Sequence, residues 1–305
     1  MRLDESARGV FVISVTPFHE DGRIDWESLD RVTDFYEEAG ADGLTILGMM
    51  GEAPKMTGAE SADIARRVIS RTSLPVVVGV SSPGLAALRE LSEAVMEMGA
   101  AGVMVAPPGG LGTDAAVFGY FASVAEALGD APIVLQDFPL AIKTQVSDEV
   151  LGRIVDKIPS VVMLKHEDWP GLAKISKLRA SEAQGRRRIS ILCGNGGSFL
   201  PEEIGRGADG AMTGYAYPEM MVGVCRHMAE GDVEAAHDLF DAHLPLVRYE
   251  TQPGAGLAVR KHVLARRGAI ASPALRKPGA GLDAATRAEV DRLVDRLERR
   301  LAERG

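Results

Sequence analysis

The stretch Val161-Val162-Met163-Leu164-Lys165 decides the fold. Four apolar residues follow one another with no polar alternation, and the run is too short for an ordinary globular helix. It reads as a strand buried on both faces, as in a parallel sheet covered by helices. Seven further runs have the same character: Val10–Val15, Gly43–Leu47, Pro75–Val80, Gly102–Ala106, Pro132–Gln136, Ile189–Cys193 and Asp209–Thr213. Between them the apolar residues repeat at helical spacing. Leu29, Val32, Phe35 and Tyr36 share one face, as do Ile64, Val68 and Ile69, with Thr57 and Glu60 at capping-box spacing in front. Leu88, Leu91, Val95 and Met98 mark a third helix, Phe118, Phe121, Val124 and Leu128 a fourth, and Val150, Leu151 and Ile154 a fifth.

Eight strands at intervals of about 30 residues, each followed by a helix, predict a (β/α)₈ barrel. A doubly wound sheet is excluded by the first strand exit, Thr16-Pro17-Phe18, which carries no glycine fingerprint. No strand pattern follows residue 225. Segments 232–248, 254–267 and 283–302 are helical in pattern, and Pro and Gly punctuate 268–282. The expected domains are therefore a barrel over 1–224 and a helical appendage over 225–305, packed as one body.

Composition narrows the function. The 305 residues are 46% hydrophobic and 25% charged, and the net charge is -9. That charge argues against a nucleic-acid surface, which needs clustered Lys and Arg. The one basic cluster, Arg186-Arg187-Arg188, reads as a solvated loop. Met1-Arg2-Leu3-Asp4-Glu5 lacks the apolar core of a signal peptide, and no apolar stretch approaches the ~18 residues of a membrane span. With two cysteines, Cys193 and Cys225, the expectation is a reduced cytoplasmic protein without membrane or nucleic-acid partners.

In such a barrel, chemistry sits where the strands end. Those exits are Gly48-Met49-Met50-Gly51-Glu52, Pro107-Pro108-Gly109-Gly110, Gln136-Asp137-Phe138-Pro139, Lys165-His166-Glu167-Asp168, Gly194-Asn195-Gly196-Gly197 and Gly214-Tyr215. Lys165 is the leading candidate. Desolvation at the barrel mouth disfavours a charged amine, and a neutral amine can attack a ketone to give an iminium, an electron sink for the adjacent bond. A lysine snorkelling from a strand end to water fits the position equally well.

Five motifs in order then resemble the dihydrodipicolinate synthase / N-acetylneuraminate lyase family. Val15-Thr16-Pro17-Phe18 with Asp21-Gly22-Arg23-Ile24-Asp25 is similar to its opening, and Gly48–Glu52 to its GTTGE or GSTGE loop. Gln136-Asp137-Phe138-Pro139 stands in place of its YNxP segment. Leu164-Lys165 falls where its Schiff-base lysine lies, and Gly194–Gly197 resembles its strand-seven loop. The resemblance runs from about residue 9 to about residue 295 and includes the tail. It implies a class I lyase that forms an imine between Lys165 and pyruvate or another 2-oxo acid, without a metal or cofactor, in a homotetramer or dimer. It also implies that Met49, Met50, Gly51, Gly194 and Met212 bind substrate, the loop holding the carboxylate through backbone N–H groups.

Departures from the family shape the rest. Neither Met49 nor Met50 has the hydroxyl the loop usually offers. Gln136 replaces the tyrosine that moves protons, and an amide neither gives nor takes one. Tyr215 is the first candidate to replace it; alternation turns His166 and Asp137 away from the lysine. Ala141 stands where dihydrodipicolinate synthases carry an arginine for the second substrate, so lysine-biosynthetic activity is not expected. Met49, Met50, Pro108, Phe138 and Tyr215 together suggest an apolar mouth, hence an aldolase or hydratase-aldolase for a 2-oxo acid with a bulky or aromatic distal group. The alternatives are a 2-keto-3-deoxy sugar acid aldolase or dehydratase, and a barrel that binds a 2-oxo acid without turning it over. His237 and Asp241 lie in the tail and make no metal site, and the strand-seven glycines lack the basic residue a phosphate site would need.

Overall fold

The computed structural model describes residues 2–303; Met1, part of the N-terminal reading, lies outside them. The eight strands are β1 (Gly9–Ile13), β2 (Gly43–Ile46), β3 (Val76–Gly79), β4 (Gly102–Val105), β5 (Ile133–Asp137), β6 (Val161–His166), β7 (Ser190–Cys193) and β8 (Gly210–Ala211). All pair in parallel, each with its sequence neighbour, and β8 closes on β1. The helices around them are α1 (Trp26–Glu38), α2 (Gly58–Arg71), α3 (Leu85–Glu97), α4 (Asp114–Leu128), α5 (Pro139–Ile142), α6 (Asp148–Lys157), α7 (Leu172–Ala183), α8 (Leu200–Gly205) and α9 (Pro218–Glu230). Three more follow: α10 (Val233–Glu250), α11 (Gly256–Arg266) and α12 (Ala284–Ala302). The expected (β/α)₈ barrel with a helical tail is the fold observed.

Local chemistry sets the helix starts. Asp25, Thr57, Thr113, Ser147, Asp232 and Asp283 each accept a backbone N–H of the first turn, and Thr57 with Glu60 forms the full capping box. Strand alternation divides the core in two. Phe11, Ile13, Val77, Met104, Val134, Met163, Leu192 and Met212 fill the barrel with no helix residue among them. Their neighbours Val10, Val12, Val78, Val103, Ile133, Leu135, Leu164 and Ile191 face outward into the larger cluster shared with the helices. The tail joins that cluster through Phe240, Val247, Val263 and Val294, so it packs on the barrel without a core of its own.

The basic cluster departs from expectation. Arg187 donates to the carbonyls of Val155, Ile158 and Val161, and Arg188 pairs with Glu182 and Asp209. These guanidinium groups lie in a loop but are committed to carbonyls at the end of α6 and the start of β6, to Glu182 and to Asp209 ahead of β8, so they are only partly solvated.

Outside the mouth, Glu203 on α8 is buried, and its Oε2 has no partner among the described residues. Burial pushes its carboxyl up to about 8, against the pull of the Cys193 thiol beside it. The native state therefore keeps a proton that the unfolded chain releases near its ordinary value of 4.5, so stability falls as pH rises from 4.5 to about 8. The slope is at most ~1.4 kcal/mol per pH unit. Glu203→Gln keeps the shape and cannot ionise. Thermal melts across that window should show the variant gaining on the wild type as pH rises; a constant difference would contradict it.

Candidate active site

The site is built on the mouth ends of two neighbouring strands. In the β5–β6 register Gln136 lies opposite Lys165 and Asp137 opposite His166. Because side chains alternate, Gln136, Lys165 and Glu167 point into the barrel while Asp137 and His166 point out. Lys165 Nζ lies 2.8 Å from Glu167 Oε2, and both side chains are at least nine-tenths buried. The Gln136 amide donates to the same carboxylate oxygen at 2.7 Å. One carboxylate oxygen thus links the amine and the residue in the tyrosine's place.

Space for that carboxylate comes from Gly194. A Cβ at this position would stand 2.2 Å from Glu167 Cγ, so the first glycine of the strand-seven loop is required by the Glu167 side chain. Asn195 then donates its side-chain amide to the Glu167 carbonyl at 3.1 Å. Met212 lies fully buried in the barrel interior.

The outward residues are occupied elsewhere. Tyr215, the first candidate for the missing tyrosine, does not reach the mouth. Its side chain is buried behind the barrel in the core shared with the helices, with its hydroxyl 3.0 Å from His243 Nδ1 on α10. The strand-eight exit presents it to the tail, and burial raises the phenol well above its usual value. His166 sits 3.1 Å from the Gly171 carbonyl, its imidazole pushed down to about 4 by burial. Asp137 pairs with Lys174 at 2.6 Å.

The strand-two exit is a tight turn. Leu47 has φ 55°, and a Cβ at Gly79 would stand 2.3 Å from the Leu47 carbonyl oxygen, so β3 must offer a glycine where this turn crosses it. Residues Met49–Gly51 form one 3₁₀ turn, in which the Gly51 N–H is used by the Gly48 carbonyl at 3.0 Å. Thr16 donates its hydroxyl to the Gly51 carbonyl at 2.7 Å. The N–H groups of Met49 and Met50 open the turn, where donors lack intrahelical partners. Glu52 braces the loop: its carboxylate takes Lys261 at 2.6 Å and Lys55 at 2.6 Å, both tied to the tail or its approach.

The two methionines have different surroundings. Met50 packs on the barrel's inner cluster, whereas Met49 is 44% exposed and lines a cavity of about 980 Å³. Gln136 and Met104 are among the residues that line that cavity, with Leu47, Val80, Pro107, Pro108 and Ile142. Ala141 is exposed on α5, and the Lys143 ammonium is held by the Leu140 carbonyl at 2.7 Å.

Glu167 is the residue that sequence reasoning passed over. The signal was present: two positions beyond Lys165 on a strand is the same face. No motif marks it, and only the closure of β7 and Gly194 against it brings it to the amine.

Comparison with known proteins places the chain in a family. A sequence model of the dihydrodipicolinate synthetase family matches residues 6–297. An L-2-keto-3-deoxyarabonate dehydratase of Azospirillum brasilense is 32% identical over 95% of this chain and 94% of its own length. A 4-hydroxy-tetrahydrodipicolinate synthase of Sorangium cellulosum is 31% identical over 96% of each chain. The crystal structure of a dihydrodipicolinate synthase from Rhodopseudomonas palustris superposes with a TM-score of 0.96 at 54% identity, covering 97% of this chain and 99% of that one. No described helix is long and apolar enough to cross a membrane. The chain is an enzyme of the dihydrodipicolinate synthetase family, with the barrel and lyase character of that family.

Proposed function

We propose that the chain holds a 2-oxo acid as an imine on Lys165, uses Glu167 to move the C3 proton, and eliminates a hydroxyl from C4. The buried Lys165–Glu167–Gln136 cluster carries this reading. The amine attacks C2, the carbinolamine loses water, and the iminium makes the C3–H acidic. Glu167 takes that proton as the electron pair moves toward nitrogen. The pair then returns and expels the C4 hydroxyl, which leaves as water with the proton Glu167 returns. Hydrolysis of the unsaturated imine frees Lys165.

A single carboxyl group takes and gives back one proton, so no phenol is needed. That suits a site with Gln136 in the tyrosine's place and Tyr215 behind the barrel. Gln136 does not titrate; it orients the carboxylate. Met49 and Met50 N–H groups are the candidate donors for the substrate carboxylate. The hydroxyl their side chains lack corresponds to about 1.5–3 kcal/mol of a charge-assisted hydrogen bond. Similarity to the Azospirillum dehydratase over nearly the whole chain supports C–O cleavage. Ala141 offers no group for a second carboxylate.

A second reading has one observation in its favour. The cavity lined in part by Gln136 has mostly apolar walls, which suits C–C cleavage of a 2-oxo acid with a bulky apolar distal group. The same relay would then take the C4 hydroxyl proton and deliver it to C3. Product analysis by NMR separates the two. Water elimination from 4-hydroxy-2-oxo acids is the expected result; pyruvate plus an aldehyde from aryl-substituted substrates would replace it with the second reading. Neither product, with no adduct on Lys165 after borohydride and pyruvate, would sink both.

A further inference from the structure

We infer that Lys174, outside the barrel, is a positioning residue that sets the geometry of the Gln136–Glu167 pair. The inference rests on the imine reading of Lys165. Lys174 lies at the start of α7 and is 5% exposed. Its ammonium sits 2.6 Å from Asp137 Oδ2, 3.2 Å from Asp168 Oδ2 and 2.6 Å from the Val146 carbonyl. Asp137 follows Gln136 in the chain, and Asp168 follows Glu167. One cation therefore grips, from behind, the residues adjoining both inward-facing partners of the proton relay.

Consecutive Cα atoms are fixed ~3.8 Å apart, so a shift of either aspartate passes to its inward neighbour. The grip is also hard to replace. Asp137 is fully buried and its Oδ1 has no partner among the described residues, so Lys174 is its compensation. Without that cation, the fully buried Asp137 carboxylate and the partly buried Asp168 carboxylate would repel, and must separate or neutralise. Gln145 holds Asp168 at 2.8 Å, and His166 holds the Gly171 carbonyl at 3.1 Å, but neither touches the Asp137 carboxylate. Besides the Gln136–Glu167 bond itself and the Glu167 N–H to the Asp137 carbonyl at 2.9 Å, Lys174 ties the two exits together through both aspartate side chains.

Pyruvate in D₂O supplies a readout that needs no knowledge of the natural substrate. Once the imine forms, Glu167 exchanges the methyl protons of pyruvate for deuterium, which NMR follows directly. Two variants are used. Lys174→Met with Asp137→Asn removes the cation and its fully buried partner together, which leaves the local net charge unchanged and Asp168 held by Gln145. Asp168→Asn cuts only the arm beside Glu167 and leaves Asp137 paired. Exchange is expected to slow by about 10–100-fold in the double variant, the scale of a misplacement near 1 Å, and by less in Asp168→Asn. The pyruvate concentration for half-maximal exchange should change by less than about twofold, because carboxylate binding lies on the strand-two loop. Wild-type exchange in either folded variant overturns the inference, as does a rise in the half-maximal concentration that accounts for the whole loss. No borohydride adduct in the wild type overturns instead the imine reading beneath it.

Discussion

Replacing Lys165 with arginine is expected to abolish both the borohydride-trapped pyruvate adduct and deuterium exchange into pyruvate, with the fold retained. The design follows from the Glu167 contact. A neutral replacement such as methionine would leave a buried carboxylate without its cation, and breaking a buried pair costs about 3–5 kcal/mol. Loss of activity would then be confounded with loss of structure. Arginine keeps a positive charge beside Glu167, but its guanidinium stays protonated and cannot attack a ketone. Intact-mass analysis after borohydride checks the adduct, and a thermal melt checks the fold. An adduct still present in Lys165→Arg would move the imine to another lysine and remove the premise of the proposed function.

Glu167→Gln separates proton transfer from imine formation. The amide is nearly isosteric and can still meet Gln136, so packing against Gly194 is kept. What disappears is the group that accepts the C3 proton. General acid–base catalysis contributes about 10²–10⁴-fold, and exchange into pyruvate should fall by that factor. Lys165 remains, so borohydride should still trap the adduct on long incubation. Retention of the adduct with loss of exchange would identify Glu167 as the base acting after the imine forms. Exchange at the wild-type rate would show that another group moves the proton and would sink the relay. The lack of any titrating side chain at Gln136 makes this variant more informative than a change at Gln136 itself.

The residues differ in how legible they were. Lys165 stood out because a charge ends an apolar run, and a run with no alternation that is too short for a helix reads as a strand covered on both sides. Eight such runs with helices between them leave few ways to close a sheet. The capping residues, such as Thr57 and Glu60, act within four positions of chain and so can be read directly. Glu167 was harder. Its strand face follows from alternation with Lys165, but its partner Gln136 lies 31 positions earlier and joins it only through the β5–β6 register. The space it occupies is cleared by Gly194, on a third strand.

Tyr215 shows the opposite failure. It follows the last strand, where a residue can turn either into the mouth or toward the tail, and one-dimensional spacing does not separate the two. The tail decides, by placing His243 on α10 against the hydroxyl. Arg187 and Lys174 behave alike: in sequence one is a charged loop residue and the other a charged residue in the first turn of a helix, and in space each is committed to groups on other elements.

The sequence by itself thus determined the barrel, its order of strands and the place of Lys165 at the end of the sixth. Those depend on periodicity and burial, which are properties of short segments. Only the tertiary structure decided that Glu167 is the lysine's partner, that Tyr215 lies behind the wall and that Lys174 grips both strand exits. Each of these depends on elements far apart in the chain: Gln136 on β5 and Gly194 after β7 around Glu167, α10 against Tyr215, and α7 against the β5 and β6 exits for Lys174.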